Sequence, residues 1–224
     1  MVVVTGDITQ RARGSQIQAA KRFFQGIPTP ILATPGNHDL PAWWISPWKR
    51  IFTPFAPFGL LGFPKLSPVF QEKEVFIAAL PSATPWRQVE GRLSSWGVRQ
   101  TLQALTRAPS DALVVLFSHH PWWLCPKQRS ASGDIWQILA KRGGLLLAGH
   151  QHRGRLWQLD AHAPFFGLCA STATSTRLRR VPAGYNWIEV RPEEILIEPC
   201  AFQNGHYECA LPISVARKKR EGKS

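Results

Sequence analysis

Acidic side chains are scarce in this chain, long apolar runs are missing, and the few cysteines follow no recognisable spacing. Asp and Glu number 14 against 27 Lys and Arg, which leaves a formal net charge of +13. Such a surface favours anionic partners, whether phosphate esters, nucleotides, nucleic acid or an acidic membrane, without choosing among them. Apolar runs such as Leu113 to Phe117 and Leu145 to Ala148 are far too short for the roughly 20 residues of a bilayer-spanning helix, so no transmembrane segment is expected. Met1 leads directly into an apolar strand with no charged n-region or cleavage site, and the expected location is therefore cytoplasmic. Cys125, Cys169, Cys200 and Cys209 form neither a CxxC pair nor a metal-finger spacing, and reduced, mostly structural thiols are expected. No internal repeat or low-complexity linker interrupts the 224 residues, and 44% of them are hydrophobic. One domain over residues 1–215 is expected, followed by a basic tail over 216–224. From Arg217 onward that tail carries five cations against one acid.

Against these absences stands a concentration of histidine. Five of the seven histidines fall in three short motifs, GNHD at Gly36 to Asp39, SHHP at Ser118 to Pro121 and GHQH at Gly149 to His152. Each motif ends a short apolar run. A fourth run, Val2 to Val4, ends in Thr5, Gly6 and Asp7, so imidazoles, a carboxamide and a carboxylate all stand where strands give way to loops. In open α/β sheets ligands collect beyond the carboxyl ends of strands, so these four clusters are expected to converge although they are far apart in sequence. Glycine permits a tight turn before Asn37 and His38, and an HxH started by glycine offers two imidazoles on an extended backbone. His162 and His206, outside any motif, are expected to be structural.

Up to about Gly149, strand-like runs alternate with helical patterns. Ser15 can cap a helix whose Ile17, Ala20 and Phe24 share a face and which Gly26 can end. Ser94 to Arg107 and Asp134 to Arg142 predict two more helices, and the alternation predicts a parallel or mixed sheet with helices packed on it. After His152 the pattern becomes strand and turn only, through Arg155 to Asp160, Pro164 to Ser171, Tyr185 to Val190 and Glu194 to Glu198, which predicts an antiparallel meander forming a second sheet. Between Pro41 and Pro68, Trp43, Trp44, Trp48, Phe52, Phe55, Phe58 and Phe63 are interspersed with proline and glycine, which rules out one regular helix. An irregular flap packed on the sheet is expected; as a functional element the segment would be a lid, a homodimer contact or a surface for a lipid-like substrate.

GD, GNHD, HHP and GHxH in this order resemble the calcineurin-like metallophosphoesterase superfamily. TGDIT, TPGNHD and the strand Tyr185 to Val190 resemble its bacterial cyclic-nucleotide-phosphodiesterase-like branch. The resemblance implies an α/β (α+β) fold, a four-layer αββα sandwich with two mixed sheets. It also implies two divalent transition metal ions (manganese, iron or zinc) bridged by an aspartate, and hydrolysis of a small phosphoester by metal-activated hydroxide. Carried over residue by residue, Asp7 is the bridge, Asn37, His119 and His150 bind one metal, and His152 binds the other. Either His119 or His120 fills the position after the third strand. His38 would stabilise charge or protonate the leaving oxygen, and Asp39 would orient His38 or its loop.

One departure from the family pattern stands out. The family opens with a DxH motif on a strand well before GD, and only five residues precede Gly6 here. The first strand is thus expected to be missing and one metal to be retained. Asp160, Ala161 and His162 spell DxH but lie in a predicted hairpin turn. The expected activity is a phosphodiesterase on nucleotides or small esters. Its alternatives are a pyrophosphohydrolase or phosphatase on a lipid-linked substrate, or a catalytically impaired fragment acting as a binding module, with nucleic acid as partner.

Overall fold

The computed structural model describes residues 1–72, 74–87, 89–174 and 181–217. In chain order the first elements are β1 (Val2–Val4), α1 (Gly14–Gln25), β2 (Ile31–Ala33), α2 (Pro47–Phe52), α3 (Ala56–Leu60), β3 (Val69–Glu72), β4 (Val75–Ala79), α4 (Ser95–Leu105) and β5 (Leu113–Phe117). They are followed by α5 (Pro126–Ala131), α6 (Gly133–Arg142), β6 (Gly144–Ala148), β7 (Arg155–Gln158), β8 (Phe165–Cys169), β9 (Gly184–Val190), β10 (Glu194–Gln203), β11 (His206–Cys209) and β12 (Ile213–Ala216).

The fold is mixed α/β, and its layers follow from side-chain alternation. One six-stranded sheet has the order β3-β4-β5-β6-β8-β7, with β4, β5, β6 and β8 parallel. Its central strands β5 and β6 are buried at every position, as expected of strands covered on both faces. On one face Val114, Leu116 and Leu146 pack with Ile135 and Leu139 of α6 and with Ala104 and Leu105 of α4. On the other, Leu113, Val115, Phe117, Leu145 and Leu147 pack against Ile195, Ile197 and Val215, with Val3 and Leu32 at the margin. That second layer consists of two separate sheets, the parallel pair β1-β2 and an antiparallel group in which β10 pairs with β9, β11 and β12. Ile17 of α1 and Phe58 of α3 join Ala33 in a third cluster, which places helices outside β1-β2. Among the described residues no helix is long and apolar enough to cross a membrane.

Several expectations are corrected. Strands β7 and β8 belong to the six-stranded sheet rather than to a separate meander, because Phe165 to Cys169 are buried on both faces and pair parallel to β6. Ser15 lies inside the first turn of α1; Arg13 is the N-cap, and the Gln16 side chain accepts from the backbone N–H of Arg11 at 3.0 Å and of Arg13 at 3.4 Å. Gly26 does end the helix. The segment 41–68 is less irregular than expected, because Pro47 and Pro57 sit in the first turns of α2 and α3, where the missing N–H has no helical partner to lose. Cys200 and Cys209 are not free thiols but a disulfide, because the β10–β11 register sets them directly opposite each other. Arg217 is not part of a solvated tail: it is 6% exposed and binds the Glu74 carboxylate at 3.1 Å and the carbonyls of Arg191 and Glu74. The rest of the expected tail, residues 218–224, lies outside the described residues.

Candidate metal centre

All four motifs follow the carboxyl ends of strands, Gly6-Asp7 after β1, the GNHD turn after β2, SHHP after β5 and GHQH after β6. Because β1 runs parallel to β2 and β5 parallel to β6, the loops of each pair emerge side by side. Gly6 adopts φ +91°, and a β-carbon there would stand 2.6 Å from the Gly36 backbone nitrogen and 2.8 Å from His119 Nδ1. Glycine is required at both the turn and the close approach. Gly36 is equally restricted, since a β-carbon on it would collide with the backbone nitrogen and carboxylate of Asp7.

The Nε2 of His119 is the point of convergence. It lies 3.1 Å from Asn37 Oδ1, 3.2 Å from His150 Nδ1 and 3.3 Å from Asp7 Oδ1. The opposite nitrogen, Nδ1, lies 2.7 Å from the Thr5 carbonyl; a carbonyl only accepts, so Nδ1 carries the proton and the neutral ring turns a lone pair toward Asn37, Asp7 and His150. An imidazole lone pair facing the oxygens of a carboxamide and a carboxylate is repulsive unless a cation lies between them. A proton is one answer. Burial opposes charging His119, yet the Asp7 carboxylate raises its pKa above the usual value. Burial likewise opposes the charged Asp7, but His119 and the His38 backbone N–H, which donates to Asp7 Oδ1 at 3.0 Å, hold its pKa well below the usual carboxylate range. A metal ion is the other answer. Donors about 2.1 Å from an ion stand roughly 3.0 to 3.4 Å from one another, and Asn37 Oδ1, His150 Nδ1 and Asp7 Oδ1 each stand at such a distance from His119 Nε2. The residues present therefore fit a transition metal.

His120, the other histidine of SHHP, is differently engaged although one of its ring nitrogens lies within 4.8 Å of a ring nitrogen of His119 and of His150. Its Nε2 donates to the Val89 carbonyl at 3.1 Å, and its Nδ1 accepts from Ser82 Oγ at 2.9 Å. Ser82 Oγ in turn accepts the His120 backbone N–H at 3.0 Å. This closed loop leaves no lone pair for a further ligand. Burial, then repulsion from His119 and His150, pushes the His120 pKa down to about 2.

The remaining candidates are distributed around this point. His150 and His152 share the loop after β6 and adopt φ of 62° and 56°, and Asp7 adopts φ of 56°. Left-handed backbone at a residue other than glycine costs about 1 to 3 kcal/mol and is held in place by the surrounding structure, characteristically at functional sites. His38 forms one wall of a cavity of about 220 Å³, and its Nδ1 donates to the Gln10 carbonyl at 2.8 Å. Asp39 is fully buried and accepts from Thr9 N at 2.7 Å, Thr9 Oγ1 at 3.1 Å and Gly36 N at 2.9 Å. It thus ties the GNHD turn to the loop after β1 and does not line the cavity. Burial, then the charge of Asp7, pushes its pKa up to about 6. Asp160 accepts from the backbone N–H of His162 and Ala163, a turn contact as expected of a hairpin end.

Sequence reasoning missed Ser82, Gln10, Arg11 and Arg50. Only Arg50 offered a signal, a lone arginine in an aromatic and proline-rich segment. It is 1% exposed, and its guanidinium donates to the carbonyls of Pro41 at 2.7 Å, Pro85 at 2.8 Å, Arg87 at 3.1 Å and Thr84 at 3.5 Å.

Comparison with known proteins adds three findings. A family model described as calcineurin-like phosphoesterase matches residues 1–154. A protein of Rhodopseudomonas palustris named "probable cyclic nucleotide phosphodiesterase" is 26% identical over 234 residues, covering 96% of this chain and 82% of that protein, and one of the same description from Synechococcus is 24% identical over 201 residues, covering 86% and 72%. Among solved structures, Vps29 of Chaetomium thermophilum aligns with a TM-score of 0.48 at 11% identity, covering 96% of this chain and 80% of that one.

Proposed function

We propose that this chain, which belongs to the calcineurin-like phosphoesterase family and is a phosphoric ester hydrolase, acts as a phosphodiesterase on nucleotides or similar small esters. The observation that carries this reading is the convergence of Asn37, Asp7 and His150 on the His119 lone pair, beside a cavity that begins at Asn37 and His38.

In this reading Asp7, Asn37, His119 and His150 hold a divalent transition metal, manganese, iron or zinc, for which mixed imidazole, carboxylate and carboxamide donors are suited. When bound, such an ion supplies positive charge to the phosphoryl oxygens and acidifies water to near neutral pH. The Thr5 carbonyl keeps the His119 lone pair directed inward. Asp39 holds the GNHD turn against Thr9 and so positions His38. With its Nδ1 proton held by the Gln10 carbonyl, His38 would give the leaving ester oxygen a proton from Nε2 as the doubly protonated imidazolium. His152 remains a candidate ligand for a second ion.

Hydrolysis of bis(p-nitrophenyl) phosphate with added manganese tests the reading. The expected result is chelator-sensitive turnover that falls in Asn37→Ala and His150→Ala. Turnover that survives both the chelator and these substitutions would refute it. A second reading, a phosphatase or pyrophosphohydrolase on a lipid-linked ester, is favoured by the stacked and exposed Trp48 and Phe52 of α2. It requires the preferred substrate to be an amphiphile presented in micelles or vesicles.

A further inference from the structure

Besides Asn37 and His38, the cavity is lined by residues outside the histidine cluster that have a chemistry of their own. Leu40 and Ala42, 1% and 7% exposed, lie next to Trp44, whose indole is 61% exposed. Arg11 and Arg50 supply cations. Arg50 donates to backbone carbonyls and lies over the Trp43 ring, and among the described residues it makes no ion pair with a carboxylate within 4 Å, so its charge is solvated but not cancelled. Arg11 makes no ion pair with any carboxylate of the described residues within 4 Å. Of the nearby acids, Asp7 is paired with His119 and Asp39 is buried behind the turn. The cavity is therefore net positive, and its lining combines the apolar Leu40 and Ala42 with the aromatic Trp44.

Volume limits what it can take. Pockets that enclose a whole drug-sized ligand run from roughly 300 to 1,000 Å³, and this one is about 220 Å³. A cavity of this size encloses part of a ligand, a ring or an anionic group, and leaves the remainder outside.

We propose that this cavity selects phosphoesters bearing an aromatic or heteroaromatic ring, with the ring stacked on Trp44 above Leu40 and Ala42 and a phosphate oxygen paired with Arg11. Nucleoside and aryl esters are thus preferred over alkyl and glyceryl ones. The proposal rests on the phosphodiesterase reading for the position of the phosphate at His38, but the ring preference is measurable without turnover. Base-on-aromatic stacking carries about tenfold or more in affinity when the aromatic is removed. A cationic point contact to phosphate carries no information about the ester group.

The test is calorimetric binding of adenosine monophosphate and of ribose 5-phosphate to the full chain without added metal. The expected result is a preference of about tenfold or more for the nucleotide, lost in Trp44→Ala and retained in Trp44→Phe. Arg11→Gln weakens both ligands by similar factors. Because Trp44 is exposed, its removal leaves the core intact, and a matching circular dichroism spectrum checks this. Equal binding of the two probes, or a preference that persists in Trp44→Ala, overturns the proposal. Ring preference without any manganese-dependent hydrolysis would instead leave the pocket standing and remove the phosphodiesterase reading.

Discussion

His119 Nε2 and Asn37 Oδ1 stand 3.1 Å apart although 82 residues separate them. Asp7 Oδ1 and His150 Nδ1 are almost equally close to the same nitrogen, and in the proposed reading these four side chains act as one donor set. Purified with manganese present, the chain is expected to retain about one tightly bound ion, and Asn37→Ala or His150→Ala to lose it. Elemental analysis decides the point. Two ions per chain would mean that His152 and further donors complete a second site.

His38 follows Asn37 in the same turn, with its Nδ1 held by the Gln10 carbonyl, and in the proposed reading it acts beside the metal without binding it. His38→Ala should keep its metal and lose turnover by about 10² to 10⁴, the range of a general acid. Elemental analysis paired with steady-state kinetics separates the two effects. Loss of metal in this variant would place His38 among the ligands.

Gly36 is packed so closely against Asp7 that a β-carbon has no room. Gly36→Ala must push the GNHD turn away from the loop after β1, and a displacement near 1 Å at such a site costs about 10²-fold in rate. Gly59 in α3 serves as the control, because a β-carbon there meets nothing within 4 Å. Gly59→Ala should leave turnover unchanged and raise stability by about 0.5 to 1 kcal/mol through helix propensity. Urea unfolding together with the hydrolysis assay reads both outcomes.

Removing the Arg50 guanidinium leaves the carbonyls of Pro41, Thr84, Pro85 and Arg87 without their donor. Arg50→Met keeps most of the volume, yet hydrogen bonds to a charged group contribute about 1.5 to 3 kcal/mol each and do not add fully. A loss of about 3 kcal/mol or more in urea unfolding is expected, with faster proteolysis between residues 41 and 62. An unchanged midpoint would show that these contacts are exchanged for water at no cost.

Burial pushes the Cys169 thiol up to about 12 from an ordinary value of 9.0. The folded chain keeps a proton that the unfolded chain releases, so this contribution to stability is complete below the unfolded value near 9 and is lost as the pH rises through about 12. At about pH 8 in the absence of reductant, iodoacetamide should label exposed Cys125 and spare Cys169, while Cys200 and Cys209 react only after reduction. Mass spectrometry of the labelled peptides checks this. Labelling of Cys169 in the folded chain at the rate of Cys125 would contradict its burial.

The sequence by itself determined which residues stand where strands end. Strand β5 with His119, strand β6 with His150, and the glycines before Asp7 and Asn37 were all legible, because burial on both faces leaves an unbroken apolar run and a tight turn demands glycine. The helices α1, α4 and α6 were legible within a residue or two at most ends for the same kind of reason, a local period. What the sequence left open depended on pairing between distant segments. What distinguishes His120 from His119 is Ser82 and Val89, which hydrogen-bond both ring nitrogens of His120 from a loop no spacing rule connects to it. Residues 165–169 joined the six-stranded sheet because β6 offered a parallel edge, and Cys200 met Cys209 because a hairpin register aligned them. Arg50 and Arg217 were buried by backbone carbonyls and a distant carboxylate rather than left in solvent. Local chemistry is carried by the chain itself; which lone pair faces which proton is decided only when the sheets pack.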